Sequence, residues 1–229
     1  MDRAERNSAE ALPMDIKICG ITTATDAAAA AALDIQAVGL VFYPKSPRWV
    51  DEDKARRIVE SLPPGIAAVG VFVDTPAAAV LATARAVGLH AVQLHGAEPP
   101  EDIRRLRDAG LRVVKALFVN RAPGLDAQTA YAPTAFLVEC AGATRPGGNA
   151  LTWDWSQARG AISTAPMILA GGLTPENVRD AVLAADPCGV DVSSGVESRP
   201  GRKDPDKMHR FVEAVRRLRP HPPQGGIFS

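Results

Sequence analysis

The stretch DIKICGITTATDAAAAAAL, residues 15–33, contains one complete strand–turn–helix unit. Residues 15–19 alternate polar and apolar side chains, which predicts a β-strand, and the Ala-rich segment 24–33 predicts a helix. The turn between them reads CGITTATD. It lacks the G-x-G-x-x-G pattern that a dinucleotide-binding, doubly wound sheet usually carries at its first turn. The unit therefore favours another strand–helix fold.

The same unit continues along the chain. The predicted strands are 15–19, 37–42, 66–73, 91–94, 112–119, 134–139, 166–170 and 189–192. Helical segments are predicted at 24–33, 51–62, 76–88, 100–110, 174–185 and 204–218. Strands that are joined through helices pair in parallel. Eight strands predict one α/β domain, a (β/α)8 TIM barrel over residues 14–219, with a doubly wound open sheet as the second choice.

Composition limits the partners that this chain of 229 residues is expected to have. Lys plus Arg equals Asp plus Glu, at 26 each, so no overall field attracts nucleic acid or an anionic membrane surface. No apolar run approaches the ~20 residues of a membrane span. The three cysteines show neither disulfide nor metal spacing, which predicts a cytoplasmic protein without a metal site. Residues 1–13 are predicted to be a mobile extension and 220–229 a flexible tail.

Polar side chains are predicted inside the barrel. Alternation along the first strand turns Ile16 and Ile18 towards the helices and leaves Lys17 and Cys19 facing inward. The same reasoning places further polar residues inside, namely Gln93, His95, Lys115, Glu139 and Asp191. Most of these lie near the carboxyl ends of strands, where barrel active sites are built. Together they predict an active site.

Each of these residues taken alone also has an ordinary structural interpretation. Cys19 could be a small buried hydrophobic residue, Glu139 a solvated charge at a strand end, and His95 a structural hydrogen-bonding group. Lys17 and Lys115 are expected to form interior ion pairs. The number of such residues at one end of the barrel is what favours a site.

Two loops predict a phosphate site. LAGGLTPENV, residues 169–178, ends the seventh strand in Gly171 and Gly172, and VDVSSGVE, residues 190–197, ends the eighth in Ser193, Ser194 and Gly195. Glycine allows a ligand to approach the backbone, and helix N-termini favour anions. Because the loops after strands 7 and 8 of barrels frequently bind phosphate, a phosphorylated ligand is predicted.

Several motifs together resemble one family closely, the phosphoribosylanthranilate isomerases. They appear in the family's order and spacing from about Asp15 to Met208, and the set is KICGIT, VGLVFYPKSPR, VGVFVD, VQLHG, RPGGNALTWDW, LAGGLTPENV and GVDVSSGVESRPGRKD. KICG together with VDVSSGVE and PGRKD is highly specific. The resemblance implies a (β/α)8 barrel that needs no cofactor.

The resemblance also implies an activity. Members convert N-(5-phosphoribosyl)anthranilate into 1-(2-carboxyphenylamino)-1-deoxyribulose 5-phosphate, an Amadori rearrangement in L-tryptophan biosynthesis. Carried over by motif, Cys19 is the general base, Glu139 the general acid, and Arg48 the partner of the anthranilate carboxylate. The glycine loops after strands 7 and 8 would hold the phosphate.

Other site residues have less definite roles. Gln93 and His95 are expected to line the substrate site, and Asp191 to contact the substrate or to orient Lys17 or Cys19. The segment Gly147, Gly148 and Asn149 is expected to form a loop that closes over the substrate.

The chain departs from the family at two positions. Glu139 stands where the family usually carries aspartate, and Ala150 where a glycine is common. Two alternatives therefore stay open. One is a repurposed barrel enzyme for another phosphosugar, and the other is a barrel that binds a phosphorylated ligand without turnover. The expected assembly is a monomer or a homodimer.

Overall fold

The computed structural model describes residues 14–140, 152–218 and 226–228. Its eight parallel strands close into a barrel in sequence order, with β8 pairing β1. The strands are β1 Asp15–Cys19, β2 Ala37–Val41, β3 Ala67–Phe72, β4 Ala91–Leu94, β5 Arg112–Phe118, β6 Ala135–Glu139, β7 Met167–Leu169 and β8 Gly189–Val192. The predicted barrel is confirmed, and the predicted strand ends agree to within one residue.

The outer layer contains six α-helices among the described residues. These are α1 Ala24–Ala31, α2 Glu52–Glu60, α3 Ala77–Val87, α4 Pro100–Asp108, α5 Val178–Ala185 and α6 Pro205–Arg216. Short 3-10 helices at Leu125–Ala130 and Trp155–Ala158 connect β5 to β6 and β6 to β7. A small antiparallel hairpin, β9 Glu197–Arg199 and β10 Arg202–Lys203, lies between β8 and α6. No helix in the described part of the chain has the length and apolarity needed to cross a bilayer.

The helix after β7 begins later than predicted. The sequence predicted helix from residue 174, whereas α5 starts at Val178. The Asn177 side chain accepts a hydrogen bond from the Thr174 backbone N–H at 2.8 Å and donates one to the Gly172 carbonyl at 2.9 Å. These bonds stabilise a turn before the helix, as Asn side chains commonly do.

Strand alternation produces two core layers. Ile16 and Ile18 pack between barrel and helices, as predicted. The layer inside the barrel is small at its amino end, because β2, β3, β4 and β6 all begin with alanine, at Ala37, Ala67, Ala91 and Ala135. Small side chains on several strands leave space on the barrel axis.

Two residues of the predicted flexible tail over 220–229, Ile227 and Phe228, fill that space, whereas 220–225 and 229 lie outside the described residues. Ile227 and Phe228 are buried in the inner core layer. The Ile227 N–H donates to Asp15 Oδ2 at 2.7 Å, and Arg112 donates to the Ile227 carbonyl at 3.1 Å. Two apolar residues suffice to fix their segment when a hydrophobic opening receives them, even where Pro and Gly are frequent.

Lys115 was predicted to face inward, and this prediction is wrong. Its neighbours Val114 and Ala116 belong to the inner layer, so Lys115 faces the helices. There its ammonium group donates to Glu98 Oε2 at 2.8 Å and to the Gly96 carbonyl at 2.6 Å. The predicted ion pair is therefore confirmed, but it lies outside the barrel.

Candidate active site

A cleft lies at the carboxyl ends of the strands, where the predicted polar residues were expected. It is lined from the ends of four strands, by His95, Glu139, Gly171, Gly172, Asp191, Ser193 and Ser194. β1 and β6 run in parallel and end at Cys19 and Glu139, so both residues lie at this same end of the barrel. Residues far apart in the sequence thus share one site.

Glu139 is held by a buried chain of hydrogen bonds from β4. Gln93 Nε2 lies 2.9 Å from His95 Nδ1, and His95 Nε2 lies 2.9 Å from Glu139 Oε1. Because the Gln93 amide nitrogen is a donor, a neutral imidazole here accepts at Nδ1 and donates from Nε2 to the carboxyl group. One carboxyl oxygen is therefore fixed by His95, and within the described residues no hydrogen bond engages Oε2.

A buried ion pair between β1 and β8 lies beside Cys19. Lys17 Nζ donates to Asp191 Oδ1 at 2.9 Å, and both side chains are buried. Burial acts to lower the pKa of Lys17, but Asp191 and Cys19 raise it, and the net direction is upward. Asp191 therefore keeps a cation beside the cysteine.

The thiol itself is strongly desolvated. Burial raises the pKa of Cys19 above its ordinary value, although the charges of Lys17 and Lys203 act in the opposite direction. At neutral pH the unliganded protein therefore holds Cys19 mainly as the thiol. A base function needs the cation at Lys17 to stabilise the thiolate when it forms.

Gly39 provides the space for this cysteine, and sequence reasoning missed it. Gly39 pairs with Cys19 in the β1–β2 register, and a Cβ added there would lie 2.7 Å from Cys19 Sγ. Its carbonyl also accepts hydrogen bonds from the Gly20 and Ile21 N–H groups at 2.9 and 3.0 Å. The sequence contains both motifs, KICG and VGLVF, but only the strand register shows that Gly39 lies beside Cys19.

The two predicted phosphate loops meet each other. Gly171 and Gly172 have φ of +88° and +70°, conformations that favour glycine. A Cβ at Gly195 would overlap the Leu173 carbonyl oxygen, so glycine is required where the loops touch. The Ser193 hydroxyl donates to the Cys19 carbonyl at 3.0 Å, which connects the loop after β8 to β1.

Arg48, the predicted carboxylate partner, is already engaged by one carboxylate. Its Nε and Nη2 donate to Glu197 Oε1 and Oε2 at 2.8 and 2.7 Å. Glu197 also accepts from Lys203 Nζ at 3.0 Å. Sequence reasoning missed Glu197 and Lys203, although both stand in quoted motifs, because a pairing across 149 residues has no local signal.

The sequence also predicted a loop that closes over the substrate and the absence of a metal site. The predicted loop Gly147, Gly148 and Asn149 lies outside the described residues. Across residues 14–140, 152–218 and 226–228, no three His, Cys, Asp or Glu side chains are grouped so that they could share a metal ion.

The barrel is closed, and acid–base side chains and glycine loops lie together at the carboxyl ends of its strands. Barrel enzymes build their active sites at this end, so the protein belongs to the class of (β/α)8-barrel proteins with an enzyme-like site.

Comparison with known proteins narrows this class to one family. A family model described as N-(5'-phosphoribosyl)anthranilate isomerase matches residues 16–214. The N-(5'-phosphoribosyl)anthranilate isomerase of Desulfatibacillum aliphaticivorans is 50% identical over 200 residues, which cover 87% of this chain and 92% of that protein. The chain belongs to the N-(5'-phosphoribosyl)anthranilate isomerase family.

Solved structures agree with this assignment. The phosphoribosyl anthranilate isomerase of Thermus thermophilus is 36% identical with a TM-score of 0.81, covering 90% of this chain and 100% of that one. A phosphoribosyl anthranilate isomerase in complex with reduced 1-(o-carboxyphenylamino)-1-deoxyribulose 5-phosphate is 38% identical, with a TM-score of 0.77 and the same coverage.

Proposed function

We propose that this protein catalyses the Amadori rearrangement of N-(5'-phosphoribosyl)anthranilate to 1-(2-carboxyphenylamino)-1-deoxyribulose 5-phosphate in tryptophan biosynthesis. The observation that carries the proposal is the cleft in which Glu139 and the two glycine loops meet, with Cys19 at the same end of the barrel. Family membership and the relative that binds the reduced product support the substrate.

Glu139 is the general acid of the proposed reaction. It donates a proton to the furanose ring oxygen, so that the C1–O bond breaks and the ring opens to a protonated Schiff base. The hydrogen bond from His95 fixes one oxygen of this carboxyl group, which leaves Oε2 to face the sugar. Positioned acid catalysis of this kind contributes ~10²–10⁴-fold in rate.

Cys19 is the general base. Its thiolate removes the proton from C2 of the Schiff base, giving an enolamine that tautomerises to the ketone. Lys17 offsets the negative charge that develops on the sulfur, and Asp191 holds Lys17 in place. A buried thiol beside a buried cation suits this step, because the thiolate forms where water does not compete for it.

The remaining groups hold the ends of the substrate. The loops around Gly171, Gly172 and Ser193–Gly195 bind the phosphate through backbone N–H groups, and Arg48 binds the anthranilate carboxylate. This division keeps the sugar between acid and base. The assembly state, monomer or homodimer, stays a prediction, as does the absence of a nucleic-acid partner.

Complementation of a tryptophan auxotroph that lacks this isomerase tests the proposal. Wild type is expected to restore growth, and Glu139→Asp to retain it, since the carboxyl group is preserved. Cys19→Ala and Glu139→Gln are expected to fail, each having lost a proton-transfer group. Purified proteins then give kcat/KM by the fluorescence change of the anthranilate group.

Two outcomes would contradict the proposal. If wild type failed to restore growth while Glu139→Asp succeeded, the chain would be a repurposed or inactive barrel. Unimpaired growth with Cys19→Ala would remove the base assignment.

A further inference from the structure

The Arg48 guanidinium has two edges that can each bind a carboxylate. Glu197 occupies the edge formed by Nε and Nη2, with both of its oxygens in hydrogen-bond contact. Nη1 has no hydrogen-bond partner within the described part of the chain, so the edge formed by Nη1 and Nη2 is available to a second planar anion. Guanidinium groups bind carboxylates bidentately along such edges.

Glu197 is itself rigidly held. It opens β9, and its carboxylate accepts from Lys203 Nζ at 3.0 Å and from the Gly201 N–H at 3.3 Å. Its backbone carbonyl accepts from Lys207 Nζ at 2.8 Å. A side chain with this many partners cannot follow a moving arginine, so it sets the orientation of the guanidinium plane.

Two basic groups in this cluster share one carboxylate. Arg48 and Lys203 are two buried basic groups, whereas Glu197 supplies one buried carboxylate to both. Burial raises and the two cations lower the pKa of Glu197, and the net direction is downward, so the carboxylate is ionised. Burial lowers the pKa of Lys203 although Glu197 acts to raise it, whereas Arg48 stays protonated and is the cation that an incoming anion meets.

The arginine also lies against the catalytic end of β1. A Cβ at Gly20 would overlap Arg48 Cδ, and Gly20 directly follows Cys19. The loop after β8, which is proposed to hold the phosphate, ends at Gly195, two residues before Glu197. An unrestrained Arg48 could therefore turn to the phosphate, since that dianion also attracts a guanidinium.

We infer that Glu197 is a positioning residue that determines specificity. It occupies the Nε–Nη2 edge of Arg48 and thereby directs the Nη1–Nη2 edge at the anthranilate carboxylate of the substrate. In this position Arg48 does not bind the phosphate. This inference rests on the proposed function. According to this inference, the protein has two separate anion sites for one ligand: Arg48 binds the carboxylate, and the loops after β7 and β8 bind the phosphate.

A comparison of two ligands tests the inference without turnover. The first is reduced 1-(2-carboxyphenylamino)-1-deoxyribulose 5-phosphate, and the second is the same molecule without the ring carboxylate. Calorimetry gives Kd for both. Wild type is expected to prefer the carboxylated ligand, and Glu197→Gln to weaken that ligand by roughly 10- to 100-fold, as expected when a charge-assisted bidentate pair is misaligned. Kd of the ligand without the carboxylate should stay the same or decrease, because the released Arg48 can then reach its phosphate.

Three further variants separate positioning from folding. Arg48→Met should remove the preference for the carboxylate, and adding Glu197→Gln should then have no further effect on it. Glu197→Gln with Lys203→Met keeps the net charge of the cluster and should lose the preference even if Glu197→Gln alone is unstable. Asp15→Asn, which removes a buried carboxylate at the opposite end of the barrel, should bind both ligands as wild type does.

The outcomes distinguish this inference from the proposed function. If wild type prefers the carboxylated ligand and Glu197→Gln binds it equally or more tightly, Glu197 does not position Arg48 and only the inference fails. An equal loss for both ligands would also overturn it, because that result describes a structural residue. A wild-type protein that binds neither ligand refutes the proposed function, and the inference with it.

Discussion

Replacing Gly39 with alanine tests whether the placement of the Cys19 sulfur is critical. The added Cβ would lie 2.7 Å from Cys19 Sγ and 3.0 Å from its Cα, whereas ordinary contacts begin near 3.4 Å. The sulfur or the strand must therefore shift by at least about 0.7 Å. Since misplacement by ~1 Å can reduce a rate ~100-fold, kcat/KM is expected to fall roughly 10- to 100-fold.

This variant should lose stability and yet remain folded. Overpacking in a core costs about 1–3 kcal/mol, so the protein should still fold, and urea unfolding measures the loss. In a Cys19→Ala background the closest contact is absent, so Gly39→Ala should lower the free energy of unfolding by less. This difference identifies the thiol as the group that is displaced.

Gly110→Ala is the matched control for the loss of stability. Gly110 has φ of +88° and no neighbouring atom within 4 Å of an added Cβ, so alanine there strains only the backbone. It should destabilise the protein by about 1–2 kcal/mol and leave kcat/KM unchanged. A folded Gly39→Ala with kcat/KM within twofold of wild type would refute the reasoning, since the sulfur would then tolerate displacement.

Three other results are expected. Ile227→Ala should lower the free energy of unfolding by about 2–5 kcal/mol, but by no more than the free energy with which the tail docks. Urea unfolding measures this loss, and an unchanged value would mean that the tail is not docked in solution. Gly195→Ala should separate the two phosphate loops and raise KM at least about tenfold, because one charge-assisted hydrogen bond contributes about 1.5–3 kcal/mol; an unaltered KM in steady-state kinetics would place the phosphate elsewhere. Because burial raises the pKa of Cys19, kcat/KM should increase from neutral towards alkaline pH, and Lys17→Met should move that increase to higher pH by removing a charge that lowers the pKa. Rates of iodoacetamide alkylation across pH report the thiolate independently, and a profile that Lys17→Met leaves unmoved would separate Lys17 from the base.

The sequence alone was enough to predict the barrel and the end of it at which several candidate site residues lie. Period-two alternation in the short first strand identified which face Cys19 occupies, and the ordinal position of the two glycine loops predicted where they meet. The first inference depends on local geometry that neighbouring residues dictate, and the second depends on the regular order of strands in a closed barrel.

Other features were decided by tertiary structure. In β5, each face carries one charged residue, Arg112 or Lys115, among apolar ones, so alternation contained no information about which face is inside, and only the closed barrel assigned it. The docking of Ile227 depends on an opening made by alanines on four separate strands. No local composition reports such an opening.

The pairing of Arg48 with Glu197 and the contact of Gly39 with Cys19 show the same limit. Each joins residues on different strands or loops, and its geometry follows from barrel closure and strand register. The sequence therefore determined which chemical groups are present and towards which face most of them point. The tertiary structure decided which groups touch, because distances between strands are set by packing across the whole barrel and not by the order of residues along it.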